Sequence, residues 1–423
     1  MSWRCAILVV LALCRSASAD GWWLDPIDQV ALHLDAVHER DRPYSVAAKP
    51  RDIAGGLALS CEHREGAPCG DGVGAYLDGD ASAGFGDWLV AAVRLRAVTG
   101  TGTRDTALEI DRAHVGVRRG PVAVEVGRDA FVLGPVGHTQ VGWGDNAPPL
   151  DHASVAIAAD RGRLLYVVGR LRDPQRFPGN LVTIARGELQ LGAVRLGGMQ
   201  LLQLEGEGAP HLGVWDFLVE HVTRTEPSAG PTDSSNRRVG LDVEWRIAGF
   251  GGARLYGELM FEDWRRQFAD ALRYDADKVV GADFPGGLLV EVHHTWFRSM
   301  EHVQRTTGFT NAGQVVGSPL GPDAAGLYVA QRLIVGRALV VPWVELARLA
   351  SDSYTYGFHQ PIIRFTDGQP EARYRAGVHV AAPLSPRLRI EVDAMVEHVE
   401  DYAFVTGARR EHAGLLTTIV WRP

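Results

Sequence analysis

The chain has 423 residues, with 43 basic against 51 acidic side chains and a net charge of −8. Hydrophobic residues make up 46% and charged residues 22%, a globular balance that excludes wholesale disorder, and the absence of any long Lys/Arg block argues against a nucleic-acid partner. Glycine, at 49 residues against 5 methionines, tilts the chain toward β-structure rich in turns and bulges. Length alone would suggest two or three domains, but a large barrel reaches this size as one.

Residues 1–19 read as a cleaved secretory signal. Arg4 supplies the positive start, residues 6–14 an apolar core, and Ala17-Ser18-Ala19 a cleavage site. The apolar run falls well short of the ~20 residues a spanning helix needs. Cys5 and Cys14 leave with the signal. Cys61 and Cys69 remain in Cys61-Glu-His-Arg-Glu-Gly-Ala-Pro-Cys69, where an oxidising compartment favours a small disulfide. With His63 nearby, zinc is the alternative, although two cysteines and one histidine at this spacing match no common zinc pattern. Beyond the signal no long uncharged apolar stretch occurs. The remaining way into a membrane is a closed β-barrel, which satisfies its own backbone.

Residues 20–85 are expected to form an N-terminal cap. Asp25-Pro26 looks like a helix start, and Ile27, Val30, Ala31, Leu34 and Val37 recur at helical spacing, so a helix is expected over 26–40. From residue 86 to 423 the period becomes two. Val239, Leu241, Val243, Trp245 and Ile247 alternate with Arg238, Asp242, Glu244 and Arg246. Similar alternation runs through 253–262, 371–380 and 388–397. Further strands are expected at 88–98, 107–119, 121–128, 153–159, 163–171, 181–191, 193–204, 211–222, 287–297, 326–335, 338–349 and 411–421. The apolar phase slips by one at Asp111-Arg112, which predicts a bulge. With ~10 residues per strand and ~8 per connection, this region would hold roughly 18–19 strands.

Alternation alone fits a soluble sandwich as well as a membrane barrel. Strand length favours the barrel, since soluble strands average about five or six residues. So do the mixed Arg and Asp/Glu faces, which can pair across a lumen. Trp88, Trp245, Trp343, Tyr374 and Trp421 lie toward strand ends, where an aromatic girdle would be. The expected fold is all-β: a large antiparallel outer-membrane barrel of about 18 strands behind a small helical periplasmic cap.

The most distinctive run is Gly127-Arg128-Asp129, Gly134-Pro135, then Asn146-Ala147-Pro148-Pro149-Leu150. It resembles the Wzi family of capsule-assembly outer-membrane proteins. Weaker echoes follow in order: Tyr256-Gly257-Glu258 leading to Glu262-Asp263, and Asn311-Ala312-Gly313 with Gly317 and Leu320-Gly321-Pro322-Asp323. The resemblance covers roughly 86–423. It implies an 18-stranded outer-membrane barrel in a Gram-negative envelope that binds capsular polysaccharide or exopolysaccharide in a lectin-like way. The Cys61/Cys69 pair is not a hallmark of that family. Outer-membrane lipid is the expected surround, a monomer the expected state, and a small-solute channel the alternative function.

Taken alone, Asn146 to Leu150 is a stiff turn, with the residue before each proline driven to extended geometry and Asn146 able to close an Asx-turn. It either folds into the barrel and constricts it, or presents Trp143, Asp145 and Asn146 to a sugar. Tyr354 and Tyr356, in a polar aromatic loop, are the other candidates for stacking on sugar, a loop that equally suits a membrane girdle. No catalytic residue, cofactor or metal is expected. Glu258 and Glu262 share a strand face with Arg254, so lumen pairing is favoured over paired-carboxylate hydrolysis. His293 and His294 are adjacent and point to opposite faces. His33 and His38 are poorly spaced for a metal on a helix.

Overall fold

In a computed structural model of the chain, the described residues are 16–17, 21–39, 59–99, 107–172, 177–209, 211, 213, 215, 217, 221, 235–262, 272, 276–296, 299–300, 308–350, 353–355, 363–365 and 369–423. Of residues 353–355 and 363–365 only the backbone is described.

Eighteen antiparallel strands close on themselves. In chain order they are β1 (Trp22–His38), β2 (Gly72–Phe85), β3 (Leu89–Thr99), β4 (Ala107–Arg119), β5 (Val122–Asp129), β6 (Leu150–Ala159), β7 (Gly162–Arg170), β8 (Leu181–Leu191) and β9 (Val194–Leu204). The second half is β10 (Asn236–Ile247), β11 (Ala253–Phe261), β12 (Ala276–Asp283), β13 (Leu288–His294), β14 (Ala324–Gln331, continued by Leu333–Val335), β15 (Ala338–Leu349), β16 (Glu371–Pro383), β17 (Leu388–Glu400) and β18 (Arg409–Trp421). Each strand pairs with its sequence neighbours. Closure comes from β1 against β18, with Val30 opposite Trp421 and His38 opposite Ala413. Eight connections are turns of a few residues, and they share one end with the two chain termini. The longer connections share the other end. Short turns mark the periplasmic side of such barrels and long loops the outer side.

The alternation has its physical cause in this wall. Leu34, Leu77, Val155, Ile157 and Val292 point outward and are exposed, while Asp35, Asp78, His152, Glu291 and His293 point inward and are buried. Trp22, Trp88, Trp245 and Trp421 ring the short-turn end, and Tyr374 stands outward near the other. Trp343 departs from the expected girdle: it shares the inward face of β15 with Glu345, its ring 5.9 Å from that of Tyr328. Inside, the Arg and Asp/Glu faces pair as their sequence suggests. Arg96 forks onto Asp78 (2.8 and 2.9 Å), Arg94 onto Asp80 (2.7 and 3.1 Å) and Arg186 onto Asp242 (2.8 and 3.2 Å).

Three expectations are corrected. The segment 26–40 is not a helix; its residues to His38 belong to β1, and no helical cap forms among the described residues. The barrel thus begins at Trp22, and 20–85 supplies two wall strands and a lumen segment. Residues 211–222 are not a wall strand, since Trp215, Phe217 and His221 lie in helical turns of an outer loop. The bulge does form: Arg94 faces Arg112 and Leu95 faces Ile110, leaving Asp111 as the extra residue, where it reaches Arg96 at 2.7 Å.

Candidate functional site

Three outer connections turn inward and fill the lumen. They are the segment from Leu59 to Asp71, the loop from Ala130 to Pro149 between β5 and β6, and the described residues 295–296, 299–300 and 308–323 between β13 and β14. Their apolar side chains, Cys61, Cys69, Leu133, Val141, Trp143, Met300, Phe309, Val315 and Val316, form one buried core with wall residues such as Val167, Ile184 and Leu201.

The first segment is a staple. Cys61 and Cys69 are joined by a disulfide. Within that short loop four consecutive charged residues fan out to different partners. Glu62 takes Arg375 of β16 in a forked pair (2.9 and 3.1 Å), and His63 meets Asp145 at 2.8 Å. Arg64 reaches Asp35 of β1 (2.8 Å) and the hydroxyl of Tyr76 (3.0 Å), while Glu65 pairs with Arg112 of β4. Positive φ at His63 (55°) and Glu65 (51°) lets adjacent side chains diverge in this way. Because its thiols are joined, the segment offers no thiolate zinc site.

The second loop lacks regular structure, so its buried amides need other acceptors. Wall carboxylates supply them. Glu291 accepts the amides of His138 (2.9 Å) and Thr139 (2.8 Å) and the Tyr256 hydroxyl (2.5 Å), and Glu258 accepts the Val141 amide (2.9 Å). The third loop is held in the same manner. Glu262 accepts the Met300 amide (2.7 Å), and Asp277 accepts the Trp296 amide (2.7 Å) and the Ser299 hydroxyl (2.6 Å). Glu258 and Glu262 are therefore occupied as anchors. Asp263 lies outside the described residues.

Asn146 is the knot. Its side-chain oxygen accepts the His63 amide (2.9 Å), its side-chain nitrogen donates to the Gly317 carbonyl, and its own carbonyl accepts the Gly66 amide (2.9 Å). One residue thus ties all three loops together. The Asp145 carbonyl accepts the Glu65 amide (2.6 Å), and Asn311 donates to the Pro148 carbonyl (2.9 Å). Gly144 donates to the Val316 carbonyl (2.6 Å), and Trp143 is bridged to Leu133. Trp143 is 3% exposed and Asn146 1%. Both are buried among the loops, where they fasten the plug. Tyr354 sits on the short strand Ser353–Thr355, its side chain outside the description, and Tyr356 lies outside the described residues.

The glycine-rich motif has local reasons too. Gly127 has a φ of 146°, and a Cβ there would fall on the Ala113 carbonyl, so only glycine allows β4 and β5 to approach at that point. Arg128 spans to Asp151 on β6 (2.5 and 2.9 Å), and the Asp129 side chain caps the Ala130 amide (2.8 Å) as the chain leaves the wall. Gly134 packs on the Glu258 carboxylate, with Pro135 next to it, and Leu150 is buried where β6 begins.

Charge in the plug is set by neighbours. Burial opposes the charge on His63, but the hydrogen bond and charge of Asp145, backed by Glu62 and Glu345, outweigh it and hold the imidazolium up at about 9. His138, its ring 4.8 Å from that of His63 and stacked on Tyr328 at 3.6 Å, is pushed down to about 3 by burial and by the His63 charge. Burial works to raise Asp145, yet His63 carries it below the ordinary carboxylate range. Within the Glu62 to Glu65 run only His63 stood out in the sequence, as a possible zinc partner, and Glu291 did not stand out at all. The signal for the run was present: four charges in a row between two cysteines that can pair.

A family model described as capsule assembly protein Wzi matches residues 57–400. No curated protein matches the chain by sequence. Among solved structures, the chain is similar to Wzi of Escherichia coli, an outer membrane protein involved in group 1 capsule assembly and a carbohydrate-binding β-barrel. That likeness has a TM-score of 0.68 at 12% identity, over 94% of this chain and 85% of the other. OccD3 of Pseudomonas aeruginosa follows with a TM-score of 0.52 at 10% identity, over 97% and 93%. OprD of the same organism gives 0.51 at 9%, over 96% of each chain. At these identities the solved structures speak to the barrel fold. The three sequence blocks that carry the family resemblance all converge on the plug: the Asn146 turn, the Tyr256 to Glu262 strand and the Asn311 to Gly317 loop.

Proposed function

Since the chain belongs to the Wzi capsule-assembly family, we propose that it is an outer-membrane barrel that binds capsular polysaccharide or exopolysaccharide and retains it at the cell surface without chemistry on it. The observation that carries this reading is the filled lumen. A channel needs a water-filled bore, whereas here three outer loops interlock across it through Asn146 and are fixed to the wall by buried carboxylates. The wall carboxylates hold these loops in place, so the protein would act at its outer surface rather than through its bore.

Tyr354 and Tyr356 are the residues proposed to stack on pyranose faces, with loop amides and carboxylates taking hydroxyls. Trp143, Asp145 and Asn146 act one step behind, by holding the plug loops in place. The wall's outward apolar belt takes outer-membrane lipid. With β1 and β18 paired, the sheet offers no free edge to a second copy, so a monomer suffices. The test is deletion of the gene followed by measurement of polymer in cells and in medium. Total polymer holds steady and shifts into the medium on this reading. An unchanged split refutes retention. Restoration by the wild-type gene but not by a Tyr354→Ala, Tyr356→Ala double variant locates the contact.

A further inference from the structure

Below the plug the lumen keeps a cavity of about 410 Å³, lined by Asp28, Gln29, Asp80, Arg94, His114 and Asp129 among others, and reaching Arg422 near the chain's end. His114 of β4 and Asp129 of β5 line this cavity, and with Glu125 of β5 beside them they bring one ligand atom each within 4.8 Å of one another. All three are inward-facing and half-buried; Asp129 also caps the Ala130 amide through Oδ1, whereas His114 and Glu125 make no contact with the plug loops among the described residues.

Each group is held by a neighbour at one atom. Glu125 Oε1 lies 3.0 Å from His152 Nε2, and the other His152 nitrogen is fixed 3.0 Å from the Leu150 carbonyl. Asp129 Oδ1 accepts the Ala130 amide (2.8 Å) and Arg112 (3.3 Å), which leaves Oδ2 toward His114 at 3.7 Å. His114 Nδ1 is buried and has no hydrogen-bond partner among the described residues. A buried ring nitrogen without a partner normally carries a cost, which a bound cation removes. The charge balance allows it: Arg112, the nearest cation, is also paired with Glu65, so the two carboxylates are not neutralised by it alone.

We propose that His114, Glu125 and Asp129 form a site for a divalent transition cation of zinc type, reached through the cavity from the short-turn end of the barrel. One imidazole and two carboxylates suit zinc, with three protein ligands and a position left open toward the cavity. Calcium and magnesium prefer all-oxygen shells and are disfavoured by the ring nitrogen. His152 is a positioning residue, orienting Glu125 through its outer oxygen. The cation would clamp β4 to β5 just below the point where the Ala130 to Pro149 loop leaves the wall. The proposal does not rest on polysaccharide binding.

The experiment uses the untagged full-length barrel in detergent, stripped with chelator and titrated with Zn²⁺ by calorimetry and with Co²⁺ by visible absorption. One saturable equivalent is expected, with Co²⁺ bands showing nitrogen and oxygen ligation. His114→Ala abolishes it, and His152→Ala weakens it by about 10–100-fold. Asp129→Asn, isosteric and still able to accept the Ala130 amide, also loses it and serves if the histidine variant fails to fold. His398→Ala, at the exposed His398–Glu411 pair, leaves it unchanged. Absence of saturable binding, or equal binding in wild type and Asp129→Asn, overturns the site.

Discussion

Arg375 is buried among three carboxylates, Glu62 in the plug and Glu345 and Glu397 on the neighbouring strands. Removing the guanidinium leaves those buried charges facing one another. Arg375→Ala is expected to cost about 3–5 kcal/mol, read as a lower urea midpoint for unfolding in lipid. Arg375→Lys recovers only part of it, because an ammonium cannot fork to three partners. His63 makes a second prediction, on pH. Its folded pKa of about 9 lies above its ordinary value of 6.5, so the stabilisation is complete below about 6.5 and is lost as pH rises through 9. Asp145, held low, loses its share only in acid. The heat-modifiable gel mobility of the folded barrel should therefore disappear at a lower temperature at pH 10 than at pH 7, and His63→Gln should flatten that difference. A drop of equal size in the variant assigns the effect to other groups. At this scale the sequence was half legible. The inward face of Glu371, Arg373 and Arg375 could be read from alternation. Its partner Glu62 could not, because the two lie 313 residues apart and no local pattern joins them.

The strand β1 shows how an element can mislead. Ala31 and Val37 point into the lumen and are buried, while Leu34 points outward. Small apolar residues on the inward face erased the alternation, and the mixture of two faces mimicked a helical stripe. The Asp25-Pro26 start coincides with a break in the pairing of β1 and β2 between Asp25 and Gln29, which is where a wall strand tolerates proline. In the 211–222 stretch the reverse happened: alternating residues formed helical turns whose His221 docks on Tyr166 (3.1 Å) and Thr183 (3.0 Å) of the wall. β12 went unread because Val279 and Val280 are adjacent yet face opposite ways, with the buried Asp277 beside them. The Asp111 bulge was legible, since a phase slip has one common cause. The plug staple carries a third prediction. The disulfide spans a sequence separation of 8, and in the loop-entropy account a closure that short is worth about 2.5 kcal/mol. Cys61→Ser with Cys69→Ser should leave the barrel folded, as judged by gel mobility, but make the plug cleavable by an added protease. Protection equal to wild type would show that the four charged contacts suffice alone.

For the whole molecule, closure follows from the pairing of every wall strand with both of its neighbours among the described residues, β1 with β18 included, and the outward face is an exposed apolar belt. Length and rhythm suggested roughly 18–19 strands within 86–423, where sixteen form; the wall reaches eighteen because two more precede residue 86, where none was expected. The filling of the lumen was not readable beyond the stiffness of the Asn146 turn, because it depends on three loops meeting across the bore. That meeting is the centre of the account: a sealed barrel acts at its surface, and an open one acts through its bore. Single-channel recording of the purified wild-type barrel in planar bilayers tests it most directly. No steady conductance is predicted for wild type, with intermittent openings once Asn146→Ala loosens the knot between the loops. A stable, ohmic channel in the wild-type protein would contradict the sealed barrel.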